Sequence, residues 1–211
     1  MHLKATLTKI QNEMAEQLPS EVLQAFGANL NELIEQKIDQ KALKIGDQAP
    51  DISMLDTDGK EIKLYDLLKN GPVIINFFRG NWCPFCMAEL ADYQESIQQF
   101  HLPTTQFLFI SPQMQAYSAQ LKSEKDFDLT LIADQHNEIA RQFGLVFTLD
   151  ENIREIYKKI GADLSAINGD SSFELPIPAT YVVAPSGKIT YAFVETNYMM
   201  RAEPREVLAM I

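Results

Sequence analysis

The feature that most constrains the fold is a continuous apolar stretch that runs into a pair of cysteines. Residues 72–78, PVIINFF, have no helical period and indicate a strand buried on both faces. Cys83-Pro84-Phe85-Cys86 follows after a short loop, and residues 87–100 indicate a helix. Proline suits the first helical position, so Pro84 is expected at N1, with Cys83 as the N-cap and Cys86 at N3. The stretch therefore predicts a strand, a loop and a helix that begins at the cysteines.

Two cysteines at the start of a helix are suited to redox chemistry. Free N–H groups and the positive end of the helix dipole favour a thiolate, the nucleophilic form, at both positions. The three-residue offset lets the sulfurs pair, which is typical of a dithiol site. The alternatives are inert buried cysteines, for which a proline-flanked junction is a poor place, and a zinc site. Zinc needs about four ligands, and the histidines are His2, His101 and His136, none at finger-like spacing.

The rest of the chain alternates strand and helix signals, which predicts a parallel sheet covered on both faces. Strands are indicated over 107–110 and 129–132, and helices over 115–126, 137–143 (ended by Gly144), 151–160 and from Pro204. Asp-Gly at 58–59 and Pro-Ser-Gly at 185–187 each predict a hairpin. Residues 148–175, apart from the helix over 151–160, are expected to be an irregular excursion.

The first 44 residues predict a helical extension ahead of a domain over 45–211. Leu3, Leu7, Ile10 and Met14 recur at helical spacing, Pro19 interrupts, and Ser20 is expected to cap a second helix. The apolar face of that helix comprises Val22, Phe26, Leu30, Leu33, Ile34 and Ile38. We expect the two helices to pack against the main domain, with a homodimer contact as the second choice.

Charge and hydropathy exclude several classes of partner. The formal net charge is −11, from 29 acidic and 18 basic residues, and this field repels nucleic acids and anionic lipid surfaces. No run approaches the roughly 18 apolar residues of a membrane helix, and the start lacks the features of a secretory signal. The expected compartment is the cytoplasm, where a cysteine pair is more often catalytic or metal-binding than a structural disulfide.

With these elements in place, residues 45–193 resemble the peroxiredoxin family of alkyl hydroperoxide reductase C and thiol-specific antioxidant proteins. IGDQAPDISMLDTDGKEIKLYDL resembles that family's N-terminal hairpin, FFRGNWCPFCMAEL its active-site strand, loop and helix, and LTLIADQHNEIARQFGL a later strand and helix. The resemblance implies an α/β thioredoxin-like fold, a central mixed sheet flanked by helices, in a subgroup that carries CxxC. It also implies an enzyme that needs no cofactor or metal.

The chain departs from the family's Pro-x-x-x-Thr-x-x-Cys pattern. Arg79 stands at the proline position and Cys83 at the threonine position, and only Cys86, at the peroxidatic position, is retained. The family's strand arginine falls on Pro178, where thioredoxin-like proteins place a cis-proline that faces the dithiol.

Several supporting residues have two interpretations each. Arg79 either supplies the missing cation or is a surface charge. Glu89 either orients an arginine or is a first-turn carboxylate favoured by the helix dipole. Trp82 either lines the site or only packs. Arg201 is the weaker candidate for the cation and is expected to pair with acidic neighbours.

Two enzymatic mechanisms are therefore open. In the first, a thiol peroxidase, Cys86 attacks hydrogen peroxide or an organic hydroperoxide, Cys83 condenses with the sulfenic acid, and an external dithiol such as thioredoxin reduces the disulfide. In the second, Cys83 at an exposed N-cap attacks a disulfide of a partner protein and Cys86 resolves it. A redox-sensing or partner-binding module without turnover ranks third.

Overall fold

Two N-terminal helices pack onto the rest of the chain in the computed structural model, which describes residues 3–211 apart from the side chain of Thr105. They are α1 (Leu3–Gln17) and α2 (Ser20–Glu35). Leu3 and Leu7 are buried in the same core cluster as both cysteines, so packing against the main domain, the first choice, is confirmed. The division of the chain at residue 44 stays a prediction.

The start and end of α2 differ from the prediction. Pro19, not Ser20, is the N-cap, and its extended backbone (φ −55°, ψ 143°) provides the carbonyl that accepts the N–H groups of Val22 and Leu23. The helix ends at Glu35 because Lys37 is left-handed (φ 51°), and a 3₁₀ turn, Ile38–Lys41, follows. Ile34 is 49% exposed, so the predicted apolar face is only partly covered.

The strands form one central sheet and two small ones. In chain order they are β1 (Ser53–Leu55), β2 (Glu61–Lys63), β3 (Val73–Phe77), β4 (Phe107–Ser111), β5 (Thr130–Ala133), β6 (Val146–Thr148), β7 (Glu174–Pro176), β8 (Ala179–Val183) and β9 (Ile189–Val194). The central order is β5-β4-β3-β8-β9, and β1–β2 and β6–β7 are antiparallel pairs.

The central sheet is mixed, as the family resemblance implies, and not parallel throughout. β3, β4 and β5 are parallel, whereas β8 is antiparallel to both β3 and β9. The alternation of strands and helices does not reveal strand direction, but the short turn between β8 and β9 can join only antiparallel strands. β6 and β7 pair at the two ends of the segment 148–175 that was expected to be irregular, and there the prediction was wrong.

The remaining helices surround the sheet. They are α3 (Leu64–Leu67), α4 (Pro84–Phe100), α5 (Gln115–Lys125), α6 (Glu138–Gln142), α7 (Glu151–Lys159), α8 (Leu164–Asn168) and α9 (Pro204–Leu208). Alternate residues of β3 enter different cores, because successive strand side chains point to opposite faces. Ile75 and Phe77 lie in one cluster, and Ile74 lies in the other with the cysteines. Over residues 3–211, no helix is long and apolar enough to cross a membrane.

Candidate active site

The two cysteines begin α4 as the sequence predicts. Cys83 is the N-cap, Pro84 is the first helical residue, and Cys86 stands at the third position. The two cysteines lie 3.3 Å apart and are free thiols. Cys83 is 1% exposed and Cys86 is 0% exposed, so the expectation of an exposed N-cap is wrong. Side chains of α1, α2 and α7 line the space beside Cys83, and the local sequence around the cysteines does not reveal this packing.

Two N–H groups converge on the sulfur of Cys86. The backbone N–H of Arg79 donates to Cys86 Sγ over 3.4 Å, and Arg201 Nη2 donates to the same sulfur over 3.1 Å. Arg201 belongs to the segment between β9 and α9, far from the cysteines in sequence. Its side chain is 2% exposed, so its expected pairing with acidic neighbours occurs in the interior and not at the surface.

A buried polar network fixes the orientation of Arg201. Its Nε donates to Glu89 Oε2 over 2.6 Å, and Asn76 Nδ2 donates to Glu89 Oε1 over 2.8 Å. The guanidinium also donates to the carbonyl oxygen of Met200 over 2.7 Å. Glu89 lies in the second turn of α4, so its first-turn interpretation is wrong, and its carboxylate accepts a hydrogen bond from Arg201. Burial is the main reason that the pKa of Glu89 rises to about 7.

Arg79 occupies an aromatic cage and is not a surface charge. It is 2% exposed, and its guanidinium carbon lies 4.7 Å from the ring centroid of Trp82, 5.3 Å from that of Tyr157 and 4.4 Å from that of Tyr198. Arg79 Nη2 donates to the hydroxyl of Tyr157, and Arg79 Nε has no partner among the described residues. The cage stabilises a desolvated cation without a carboxylate.

Trp82 both packs and lines the site. Its indole Nε1 lies against Gly80, whose φ of 144° suits glycine, and a Cβ at Gly80 would stand 2.5 Å from that nitrogen. The same ring contacts Tyr157, with centroids 5.1 Å apart. The loop between β3 and α4 therefore places Trp82 and Arg79 side by side next to Cys83.

The two sulfurs titrate as one unit. Burial alone would raise the pKa of Cys83, but the hydrogen bond with Cys86 and the charges of Arg79 and Arg201 lower it to about 5. Burial, followed by the hydrogen bond and charge of Cys83, raises the pKa of Cys86 well above its ordinary value. At neutral pH the pair therefore carries one negative charge and one proton.

Cys83 lines a cavity of about 190 Å³. Cys86 is absent from its wall, which the following residues form: Met14, Phe26, Arg79, Trp82, Cys83, Pro84, Phe85, Tyr157, Ile160, Gly161, Ala162 and Tyr198. The wall is largely apolar. Its charged group is the guanidinium of Arg79, and its nucleophilic group is the sulfur of Cys83. A small oxidant that enters this cavity meets Cys83 first.

Other predicted residues lie apart from the sulfurs. Pro178 is buried between β7 and β8, and its peptide bond is trans, as are all those of residues 3–211. The cis-proline expectation is therefore wrong, and Pro178 does not line the cavity. His101 and His136 are exposed, and His2 lies outside the described residues. Within the described range, no three His, Cys, Asp or Glu side chains are grouped as metal ligands.

Three important site residues were missed or undervalued in the sequence. Arg201 ranked below Arg79, and Tyr157 and Tyr198 were not proposed. These residues stand 70 or more positions from the cysteines, and no spacing pattern links them to the CxxC segment. The helix signal over 151–160 indicates that Tyr157 lies on a helix, but not which surface that helix covers.

Fold and site together define a thiol-dependent oxidoreductase: a thioredoxin-like sheet presents a dithiol at a helix N-terminus beside two buried arginines. The chain belongs to the AhpC/TSA family, whose family model matches residues 45–192.

Relatives and solved structures agree with this family. The chain is 25% identical over 118 residues to "Peroxiredoxin Bcp" of Bacillus subtilis, covering 56% of this chain and 74% of that relative. It resembles the crystal structure of Peroxidoxin BcpB from Mycobacterium tuberculosis, with a TM-score of 0.58, 21% identity and coverage of 74% and 89% of the two chains. PrxQ from Xylella fastidiosa gives a TM-score of 0.59 at 14% identity, with coverage of 80% and 94%. The structural likenesses show the fold.

Proposed function

We propose that this protein reduces hydroperoxides by cycling Cys83 and Cys86 between dithiol and disulfide. One observation carries the proposal: a buried thiol pair stands beside two buried arginines, at the wall of a cavity. A peroxide needs a thiolate to attack it and positive charge to stabilise the oxygen that leaves. The family's threonine and strand arginine are missing, and Arg79 and Arg201 supply the positive charge here.

The reaction balances with the groups present. A thiolate attacks the terminal oxygen of ROOH, the O–O bond breaks, and the products are a cysteine sulfenic acid and an alkoxide, which takes up a proton to leave as ROH. The second sulfur then attacks the sulfenic sulfur, forms the disulfide and releases water. In sum, ROOH and two thiols give ROH, water and a disulfide.

The cavity favours Cys83 as the attacking sulfur. Cys83 lines it and Cys86 does not, and the pKa of Cys83 is the lowered one. We therefore place the attack at Cys83. Cys86 resolves the sulfenic acid, and its thiolate is stabilised at that step by the N–H groups of Arg79 and Arg201. The opposite order, expected from the family position of Cys86 and compatible with the same two donors, stays a prediction that serine variants test.

Protein disulfides fit the site less well as primary substrates. A partner's disulfide must approach the attacking sulfur directly, but Cys83 is 1% exposed, and Met14 of α1 and Phe26 of α2 line the small cavity at its side chain. The same packing affects reduction of the Cys83–Cys86 disulfide, because a protein dithiol such as thioredoxin reaches it only after α1 and α2 move. An external dithiol in a reducing compartment such as the cytoplasm completes the cycle.

Stopped-flow fluorescence tests the proposal, because Trp82 is the only tryptophan and abuts Cys83. We expect a fast fluorescence change when reduced protein meets a stoichiometric hydroperoxide. Cys83→Ser should abolish it, whereas Cys86→Ser should keep the first step and accumulate a sulfenic acid. The reverse result would assign the attack to Cys86. A change no faster than the oxidation of a free thiol in the wild-type protein would refute the peroxidase.

A further inference from the structure

The oxygen that leaves a peroxide needs a proton, and the wall of the cavity at Cys83 limits which side chain can supply it. Apart from the sulfur, the wall side chains that carry an N–H or O–H are those of Arg79, Trp82, Tyr157 and Tyr198. An arginine guanidinium donates hydrogen bonds but keeps its protons, and an indole N–H is a donor only. The two tyrosines are therefore the candidate acids of the cavity.

Of the two tyrosines, Tyr157 has the contacts that an acid needs. Its hydroxyl accepts a hydrogen bond from Arg79 Nη2, so the tyrosinate that remains after proton transfer would stay hydrogen-bonded to a cation. Over residues 3–211 this hydroxyl donates to no protein acceptor, so its own proton is available to an oxygen in the cavity. Arg79 meets Tyr198 through the ring instead, 4.4 Å from its centroid.

Packing and charge hold the Tyr157 hydroxyl in its protonated form before the reaction. Tyr157 is 4% exposed, and its ring centroid lies 5.1 Å from that of Trp82 and 5.3 Å from that of Phe26. Burial is the main reason that the pKa of Tyr157 is raised, Arg79 opposes this rise, and the negative charge of Cys83 adds to it. Attack by Cys83 moves that charge onto the leaving oxygen, and an alkoxide or hydroxide is a stronger base than a tyrosinate.

We propose that Tyr157 is a catalytic residue whose hydroxyl protonates the oxygen that leaves when Cys83 attacks a hydroperoxide, an inference that rests on the proposed peroxidase function. The Cys83 thiolate bonds to the terminal oxygen of ROOH, the O–O bond breaks, and the electron pair left on the RO oxygen takes the proton of Tyr157. The products are the Cys83 sulfenic acid, ROH and a tyrosinate hydrogen-bonded to Arg79, which regains its proton from water. Tyr157 thus supplies a hydroxyl that the family's threonine position, occupied here by Cys83, lacks.

Tyr157→Phe removes the hydroxyl and keeps the ring, and Tyr181→Phe is the matched control. Tyr181 is also buried and its hydroxyl lacks a partner among the described residues, but it packs in the core cluster that does not contain the cysteines. The reaction rates of the reduced proteins with hydrogen peroxide, peracetic acid and iodoacetamide are measured at neutral pH by rapid quench and intact mass. Peracetic acid releases acetate and iodoacetamide releases iodide, and neither leaving group needs a proton.

We expect Tyr157→Phe to slow the reaction with hydrogen peroxide by about 100-fold, the lower end for loss of a general acid. The rates with peracetic acid and iodoacetamide should stay close to those of wild type, and Tyr181→Phe should match wild type with all three reagents. Equal slowing of Tyr157→Phe with all three would place the effect on the thiolate and overturn the proposal.

A solvent isotope effect tests the same step without a variant. Wild type should react more slowly in D₂O with hydrogen peroxide but not with peracetic acid, and equal isotope effects for the two reagents would overturn the proposal. Failure of the peroxidase function is a separate result, namely a wild-type rate with hydrogen peroxide no faster than that of a free thiol. If wild type is fast and Tyr157→Phe is equally fast, the peroxidase stands and the role of Tyr157 fails.

Discussion

Replacing Arg79 by methionine should lower the thiolate fraction of Cys83, and so the rate of reaction with peroxide, at low pH. It should change both little at high pH. Methionine keeps an unbranched, apolar side chain within the aromatic cage but removes the charge. An adjacent opposite charge lowers a pKa by about 1–3 units, and Arg201 remains in the variant. We therefore expect the pKa of Cys83 to rise from about 5 to about 6–8.

This shift sets the size of the effect on rate. At pH 6 a thiol of pKa about 5 is roughly 90% thiolate, whereas one of pKa about 6–8 is roughly 1–50% thiolate. The rate with hydrogen peroxide should thus fall about 2–100-fold at pH 6. The difference in rate between the variant and wild type should narrow towards pH 9, because Cys83 is then largely ionised in both proteins. Any difference that persists there measures the direct contact of Arg79 with the peroxide.

The assay combines a thiolate titration by ultraviolet absorbance with the stopped-flow rate at each pH. Arg79→Lys keeps the charge and should retain most of the low pKa. Arg154→Met is the matched control, because Arg154 also stacks on an aromatic ring, 4.5 Å from the centroid of Phe173, but does not line the cavity. If Arg79→Met and wild type titrate at the same pH, Arg79 does not set the thiolate, and the electrostatic argument for the site is refuted.

Two further predictions concern stability. The pKa of buried Glu89 is about 7 in the folded protein and 4.5 ordinarily. The contribution of protonated Glu89 to the free energy of unfolding is therefore fully present below pH 4.5 and is lost as pH rises through about 7. The loss is roughly 3 kcal/mol. Urea unfolding at several pH values should show this decline in wild type and a shallower one in Glu89→Gln; parallel profiles would contradict it. Gly144→Ala should lower the free energy of unfolding by roughly 2–4 kcal/mol, because Gly144 has φ 72° and its Cβ would lie 2.0 Å from the Lys41 carbonyl oxygen. Gly27→Ala, in open space within a helix, should be neutral or stabilising by about 0.5–1 kcal/mol, and equal melting temperatures for the two alanine variants would refute the steric argument.

The sequence by itself determined the local architecture around the dithiol. The apolar run of β3, the proline between the cysteines and the helical period of α4 are properties of adjacent residues, so they predicted the strand, the loop and the N-terminal position of both sulfurs. The Asp-Gly and Pro-Ser-Gly turns predicted their hairpins for the same reason. Each of these features depends on backbone preferences that act within a few residues.

Only the tertiary structure decided what surrounds the sulfurs. The contact of Arg201 with Cys86, the cage of Tyr157 and Tyr198 around Arg79, and the cavity under α1 and α2 join residues that are distant in sequence. The local sequence around these residues does not distinguish them. It predicts a charged side chain paired with acidic neighbours for Arg201, and an ordinary helical residue for Tyr157. Burial gives them their roles, because desolvation strengthens each charge interaction at the dithiol, and burial is a property of the packed chain rather than of any segment.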